Sequence, residues 1–460
     1  MLFNSLQFLL FFIAVTCLYF AMPHRARWAL LLAASCVFYI AFVPRYLFIL
    51  AFTIIIDYIA GIQIEKSSGK KRRLYLILSL IANIGILAVF KYYNFFNDNI
   101  TGMLHRLGME NHIPYLKILL PVGLSFHTFQ AMSYTIEVYR GNHKAERHFG
   151  IYALYVMFYP QLVAGPIERP QNILHQFHEK KEWNYEQFKS GIMLILWGLF
   201  KKVVIADRLA LIVNSIYNNP EHQTVTGILI AVFFFSFQIY CDFSGYSDIA
   251  IGTARVMGFR LMENFRTPYF ARSISEFWKR WHISLSSWFR DYLYIPLGGN
   301  KVSQMRLYGN IFLVFLISGL WHGASWGFII WGALHGFFQV TGLLRKKYLP
   351  NLPKLPAFLD TAIVFLLVSF AWVFFRVPTL SGAVHIFQEL FSGNMSLKGI
   401  SINEIIYCVL LITGLNVREH YLRPGDDRVI RHFYLKALFW CIAIYFLGIF
   451  SENQFIYFQF

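Results

Sequence analysis

Long apolar runs broken by short basic stretches set the pattern of this 460-residue chain. The runs fall at 2–22, 28–42, 46–62, 74–96, 113–139, 149–165, 188–217, 227–241, 307–320, 327–344, 357–375, 405–417 and 433–450. A helix needs about 20 apolar residues to cross a bilayer, so some of these can cross and the shorter ones must bend or turn back. Loop charge fixes the orientation, because Lys and Arg mark the cytoplasmic side. The stretch 63–73 holds five of them (Lys66, Lys70, Lys71, Arg72, Arg73), and counting back three spans puts the N-terminus outside. The polar loop 97–112 is then outside and the basic loop 140–147 inside. The run 149–165 has basic segments on both sides and carries Pro160 and Gly165-Pro166. It reads as re-entrant, which a membrane tolerates only where the broken backbone is buried in protein. The run 188–217 carries Lys201-Lys202 and Asp207-Arg208 and reads as a bent or interfacial helix. The run 227–241 ends at Asp242-Phe-Ser-Gly-Tyr246-Ser-Asp248, and the loops 376–404 (outside) and 418–432 (inside) lead to a last span that leaves the C-terminus outside.

Two segments differ in kind. In 273–296, Ser273-x-x-Glu276 is a capping box. Phe277, Trp281, Leu285, Trp288 and Tyr292 follow at helical spacing, while Lys279, Arg280, Arg290 and Asp291 interrupt any spanning run. This predicts one amphipathic helix at the cytoplasmic interface. The runs 307–320 and 327–344 have Lys301 and Arg306 ahead and Arg345, Lys346 and Lys347 behind. They predict a hairpin entering and leaving from the cytoplasm, with Gly319-Leu-Trp321-His322-Gly-Ala-Ser-Trp326 at its deep end.

Composition narrows the class. The chain is 57% hydrophobic and 14% charged, with mean hydropathy +0.49, against about 25% charge in soluble domains. It is a polytopic, all-α membrane protein, read as one domain over 1–460. The net charge of +17 sits in short loops, so it reports topology and excludes a nucleic-acid face. Cys17, Cys36, Cys241, Cys408 and Cys441 fall in apolar stretches without CxxC spacing and read as small core residues. Residues 1–22 lack a basic n-region and a small-residue cleavage site, so they read as a retained first span. No internal repeat, nucleotide loop or metal-ligand spacing stands out, and neither metal nor bound cofactor is expected. Asn99-Ile-Thr101 matches a glycosylation sequon, a weak signal alone.

Candidate chemistry is confined to three places. His322 lies deep in the membrane, where an ionisable group is costly and marks function by default; a histidine satisfied by a backbone carbonyl is the plainer alternative. His282 follows Trp278 and Trp281 on the apolar side of the interfacial helix, where a structural histidine is equally compatible. Asp242 ends an apolar run and either pairs with a neighbouring cation or hydroxyl or takes part in proton transfer. A histidine can take a proton from a hydroxyl attacking an acyl carbonyl, worth about 10²–10⁴-fold.

The blocks Asp242-Phe-Ser-Gly-Tyr-Ser-Asp248-Ile-Ala-Ile-Gly252, Ser275-Glu-Phe-Trp-Lys-Arg-Trp-His282-Ile-Ser-Leu-Ser286, Trp288-Phe-Arg-Asp-Tyr-Leu-Tyr-Ile-Pro-Leu-Gly-Gly299, Gly319-Leu-Trp-His322-Gly and Pro160-Gln-Leu-Val-Ala-Gly-Pro166 resemble the membrane-bound O-acyltransferase (MBOAT) family. The resemblance runs over most of the chain and lies with the bacterial branch of alginate and peptidoglycan O-acetylation membrane subunits. It implies a helical bundle with re-entrant segments around a transmembrane tunnel in the bacterial inner membrane. His322 would be catalytic and His282 across the tunnel, with Trp278, Trp281, Asp242, Tyr246 and Trp321 lining it. The donor would be cytoplasmic, acetyl-CoA by expectation. The acceptor would be an extracytoplasmic polysaccharide, reached through a periplasmic or surface acetyltransferase partner. The tail Phe455-Ile-Tyr457-Phe-Gln-Phe460 resembles one in which the tyrosine relays the acyl group; an aromatic belt at the membrane surface fits equally. The D-alanylating branch and a non-catalytic acyl transporter are the competing readings, and a scaffold without chemistry would leave His322 unexplained.

Overall fold

The structure, a computed structural model, describes residues 1–117, 121–163, 165–218, 224–351, 353, 355–377, 379–391, 393, 395–396, 401–422, 430–450 and 455–456. Among these, the regular secondary structure is helical throughout. Among the described residues, five helical stretches are long and apolar enough to cross a membrane: Pro44–Lys66, Gly69–Arg106, Val225–Val256, Trp326–Tyr348 and Ala357–Arg376. The chain forms two compact units, one of Met1–Gly191 with Thr253–Met262, the other of Ile192–Gly252 with Glu263–Phe460.

The first unit opens with α1 (Leu6–Ala21), α2 (His24–Ile40), α3 (Leu47–Lys66) and α4 (Gly69–Leu87). A π-helical turn at Ala88–Tyr92 leads into α5 (Tyr93–Arg106), followed by α6 (Leu124–Arg140), α7 (Phe149–Met157), α8 (Tyr159–Leu162) and α9 (Pro170–Ile173). α3, α4 and α6 pack together around a buried polar seam. Asp57 accepts from Ser79 Oγ at 2.6 Å and from Asn83 Nδ2 at 2.9 Å, and Thr53 bonds His127 at 2.8 Å. Satisfied polar groups of this kind act as glue between helices in an apolar medium. Gly61 lets the Tyr134 ring lie against α3; a Cβ there would come 2.6 Å from that ring.

The second unit carries most of α10 (Tyr185–Leu199), a π-helical stretch at Phe200–Ala206, α11 (Asp207–Tyr217) and α12 (Val225–Val256). It continues with α13 (Ile274–Arg280), α14 (Ile283–Phe289), α15 (Gln304–His322), α16 (Trp326–Tyr348), α17 (Ala357–Arg376), α18 (Leu380–Glu389), α19 (Ile402–Tyr421) and α20 (Phe433–Leu447). α15 and α16 form the expected hairpin. They touch through glycines: a Cβ on Gly319 would lie 3.3 Å from the Gly332 Cα, and one on Gly332 would lie 3.3 Å from the Leu316 Cα, with carbonyl oxygens closer still. Small residues at a crossing are how apolar helices approach closely.

Four local expectations change. The basic stretch 63–73 is not a loop: α3 runs to Lys66, α4 starts at Gly69, and only Ser67-Ser68 join them, because Lys and Arg stems extend a helix past its apolar part. The outside loop 97–112 is helical to Arg106, where Thr101 donates to the Asn97 carbonyl and Asn94 donates to the Leu116 carbonyl, and among the described residues of the run 113–139 the helix is Leu124–Arg140, which runs one residue beyond it. The span read over 227–241 extends through Asp242 as one helix, α12, to Val256. The interfacial helix at 273–296 is two short helices. Ser273 does cap the first, accepting from the Glu276 amide at 3.1 Å, but the pattern breaks at Trp281-His282.

Replacing Gly332 by valine should force α15 off α16. A cost of roughly 1–3 kcal/mol or more is expected for such overpacking, measured as a lower unfolding temperature in detergent.

Candidate active site

The break between α13 and α14 is what presents His282. Its backbone is left-handed, φ 44° and ψ 55°, a conformation costing an L-residue roughly 1–2 kcal/mol. The segment before α13 holds it there. Ile283 N–H donates to the Asn264 carbonyl at 2.9 Å, and Arg266 N–H to the Arg280 carbonyl at 2.8 Å. Asn264 also orients the ring. Its Nδ2 donates to Ser247 Oγ at 3.1 Å, which turns Oδ1 toward His282 Nδ1 at 3.0 Å and Ser284 Oγ at 2.9 Å. An amide oxygen only accepts, so Nδ1 carries the proton and Nε2 keeps the lone pair. Burial pushes this imidazole down to about 3, so it is neutral near pH 7. A neutral ring with one nitrogen fixed by a hydrogen bond is suited to orienting a bound group; its low basicity argues against proton abstraction, since a general base works best with a pKa near the operating pH.

His322 ends α15, at the tip of the glycine-packed hairpin. Gly323 follows with φ −166° and donates to the Gly319 carbonyl. The His322 ring is 4.9 Å from Trp321, 5.0 Å from Trp331 and 5.3 Å from Phe375 between centroids. The His282 ring lies 6.2 Å from the same Trp321 ring. The two histidines, 40 residues apart in sequence, are thus both neighbours of one buried indole.

Around them the other expected residues find places. Trp278 donates its indole N–H to His335 Nδ1 at 3.3 Å and lies 5.7 Å from Trp331. Trp281 packs 5.0 Å from Trp372 and 5.1 Å from Phe265. Asp242 pairs with Lys202 at 2.6 Å, and Lys202 also meets Asp207 at 2.8 Å. The Tyr246 ring packs tilted against Phe455, 4.4 Å between centroids. Tyr457 lies outside the described residues.

A profile of the family described as MBOAT, membrane-bound O-acyltransferase, matches residues 143–376. A probable alginate O-acetylase, AlgI, of Pseudomonas aeruginosa is 37% identical over 436 residues, 92% of this chain and 83% of that protein. The chain belongs to the membrane-bound O-acyltransferase family. A peptidoglycan O-acetyltransferase of Helicobacter pylori is likewise 37% identical, over 95% of this chain and 86% of that protein. A teichoic acid D-alanyltransferase of Bacillus subtilis is 30% identical over 59% of this chain and 71% of its own length. The protein is therefore a membrane enzyme that transfers acyl groups to oxygen. The family match includes both His282 and His322.

Sequence reading missed Asn264, which no motif announces, and His335, which sits one turn beyond Trp331 and was discoverable from that spacing. It also missed that Lys202 is Asp242's partner, although both had been singled out.

The lowered pKa of His282 has a sign that can be checked. Unfolded histidine takes a proton near pH 6.5 and the folded group does not, so the folded state loses stability as pH falls below that value. His282 should contribute roughly 2 kcal/mol of loss between pH 7 and pH 5, and His282→Gln should reduce the wild-type loss by that share, measured by denaturant unfolding at both pH values. Asn264→Leu should cost about 1–3 kcal/mol at neutral pH by leaving buried donors unmatched.

Proposed function

We propose that this O-acyltransferase moves an acetyl group from a cytoplasmic thioester, acetyl-CoA, to an extracytoplasmic polysaccharide hydroxyl of the alginate or peptidoglycan kind. The observation that carries the reading is the pair of buried histidines beside Trp321. In an apolar interior, a nitrogen base and an oriented partner are what acyl transfer needs and what simple structural packing does not. The alginate and peptidoglycan relatives cover nearly the whole chain, and the D-alanylating relative covers just over half of it, which favours acetyl over D-alanyl as the group.

His322 acts as base. It removes the proton from the acceptor hydroxyl as that oxygen bonds to the acetyl carbonyl carbon; the tetrahedral intermediate then collapses, the carbon–sulfur bond breaks, and the thiolate leaves. His282, neutral and fixed through Asn264, orients donor or acceptor, with Trp278, Trp281, Trp321 and Tyr246 forming the apolar wall of a passage between the two faces. Tyr457 is the proposed first acceptor, handing the acetyl group to a periplasmic or surface acetyltransferase. The phenol pKa of about 10 makes a nearby base necessary for that step. The enzyme sits in the bacterial inner membrane with both termini outside, in keeping with the basic residues around Ser68.

His322→Ala should lower acetyl transfer from labelled acetyl-CoA by about 10²–10⁴-fold while donor binding persists, since a base acts on the transition state. Wild-type transfer by this variant would remove His322 from the mechanism. Tyr457→Phe should fold and bind donor but fail to acetylate the polysaccharide; full acetylation would leave direct transfer at His322. For orientation, a single cysteine at the exposed Ser68 should resist an impermeant thiol reagent in intact cells and react once the membrane is opened.

A further inference from the structure

Phe455 is 0% and Ile456 5% exposed, and each meets a specific part of α12. The Ile456 amide donates to Asp242 Oδ2 at 2.7 Å. The Phe455 ring lies 4.4 Å from Tyr246 and 5.5 Å from Phe243. Phe243 in turn meets the His282 ring edge to face at 4.6 Å. One aromatic side chain therefore separates the docked segment from His282.

The charge arrangement explains why a backbone amide is needed there. Lys202 is one cation between two carboxylates, Asp242 at 2.6 Å and Asp207 at 2.8 Å, and all three are buried. Asp242 gives Oδ1 to the ammonium, which leaves Oδ2 facing an apolar interior with its negative charge half matched. A donor on that oxygen is worth more than an ordinary hydrogen bond, because an unmatched buried carboxylate oxygen is expensive. The amide of Ile456 supplies it.

We propose that Lys202, Asp242, Phe243 and Tyr246 form a seat for the C-terminal segment, and that Asp242 and Phe455 are positioning residues for acyl transfer. The seat fixes Phe455 and Ile456, the residues that precede Tyr457 in sequence, one aromatic ring from His282. The functional part of this proposal rests on the acyl-transfer reading above; the docking part does not.

Proline at 456 is the sharpest probe, since it deletes the amide donor and leaves the buried ions untouched. In full-length protein in detergent, Ile456→Pro should elute as wild type on size exclusion, keep the KM for acetyl-CoA, and lower kcat for transfer to the polysaccharide or partner by roughly 10²-fold, the cost of an ångström-scale misplacement. Ile456→Ala retains the amide and should recover most of that loss; Phe455→Leu should likewise recover what Phe455→Ala loses. Hydrogen exchange of the C-terminal peptide gives a readout free of catalysis. The Ile456 amide should be protected in wild type and in His322→Ala, and the peptide should exchange freely in Phe455→Ala. An unprotected Ile456 amide in wild type overturns the seat whatever the activity of any variant. A protected amide together with wild-type kcat in both Ile456→Pro and Phe455→Ala overturns the positioning role and leaves docking alone. Wild-type transfer by His322→Ala sinks the acyl-transfer reading and leaves the exchange result standing.

Discussion

A charge buried among apolar side chains must find a partner, and in this protein the partners hold the working half together. Lys202 binds Asp242 and Asp207, while its neighbour Lys201 binds Asp248 at 2.7 Å and Ser244 at 2.9 Å. Glu419 accepts from Tyr240 at 2.7–2.8 Å, and Arg418 lies 3.5 Å over the Trp197 ring. These links tie the π-helical stretch, α12 and α19 into one polar spine. Removing one member of such a pair strands the other, a loss of roughly 3–5 kcal/mol. The spine therefore constrains where α12 can lie, and α12 carries Ser247, which orients Asn264 and through it His282.

Irregular backbone does the placing. Two adjacent lysines cannot both face inward from an ideal α-helix, because neighbours are about 100° apart; the π-helical turn at Phe200–Ala206 widens the helix where both must be buried. π-helical turns recur at Ala88–Tyr92 and Arg290–Tyr294, and such bulges gather at functional places. The bend at Phe158, between α7 and α8, is fully buried, as a broken helix at membrane depth must be. At His282 the departure is sharpest, with two helices stopped and restarted around one residue.

The long elements were legible in the sequence because a bilayer imposes a crude code of apolar length and basic ends. The α15–α16 hairpin, the broken 149–165 segment and the bend at Lys201-Lys202 all follow from it. Helix ends were less legible. Lys66 and Lys70–Arg73 were read as loop because charge and loop look alike when long aliphatic stems can sit on a helix. The site was half legible: His322 and His282 stood out as polar residues in apolar settings, but Asn264 acts through a contact that exists only after residues 264–266 fold back along 280–284. Helical periodicity also hid the break at His282, since Trp281, Leu285 and Trp288 keep step across it.

The amide of Ile456 and the carboxylate of Asp242 are 214 residues apart in sequence. During synthesis α12 must enter the membrane long before the segment that completes its hydrogen bonding exists. Until Ile456 has been made, the Asp242 oxygen that will accept from it lacks that donor. Contacts this distant form late and slowly. A chain released early, or clipped by a protease near its end, would keep every helix and both histidines and still carry a half-satisfied acid in its core. Through Ile456, the folded interior can thus register whether a segment made long after α12 has arrived.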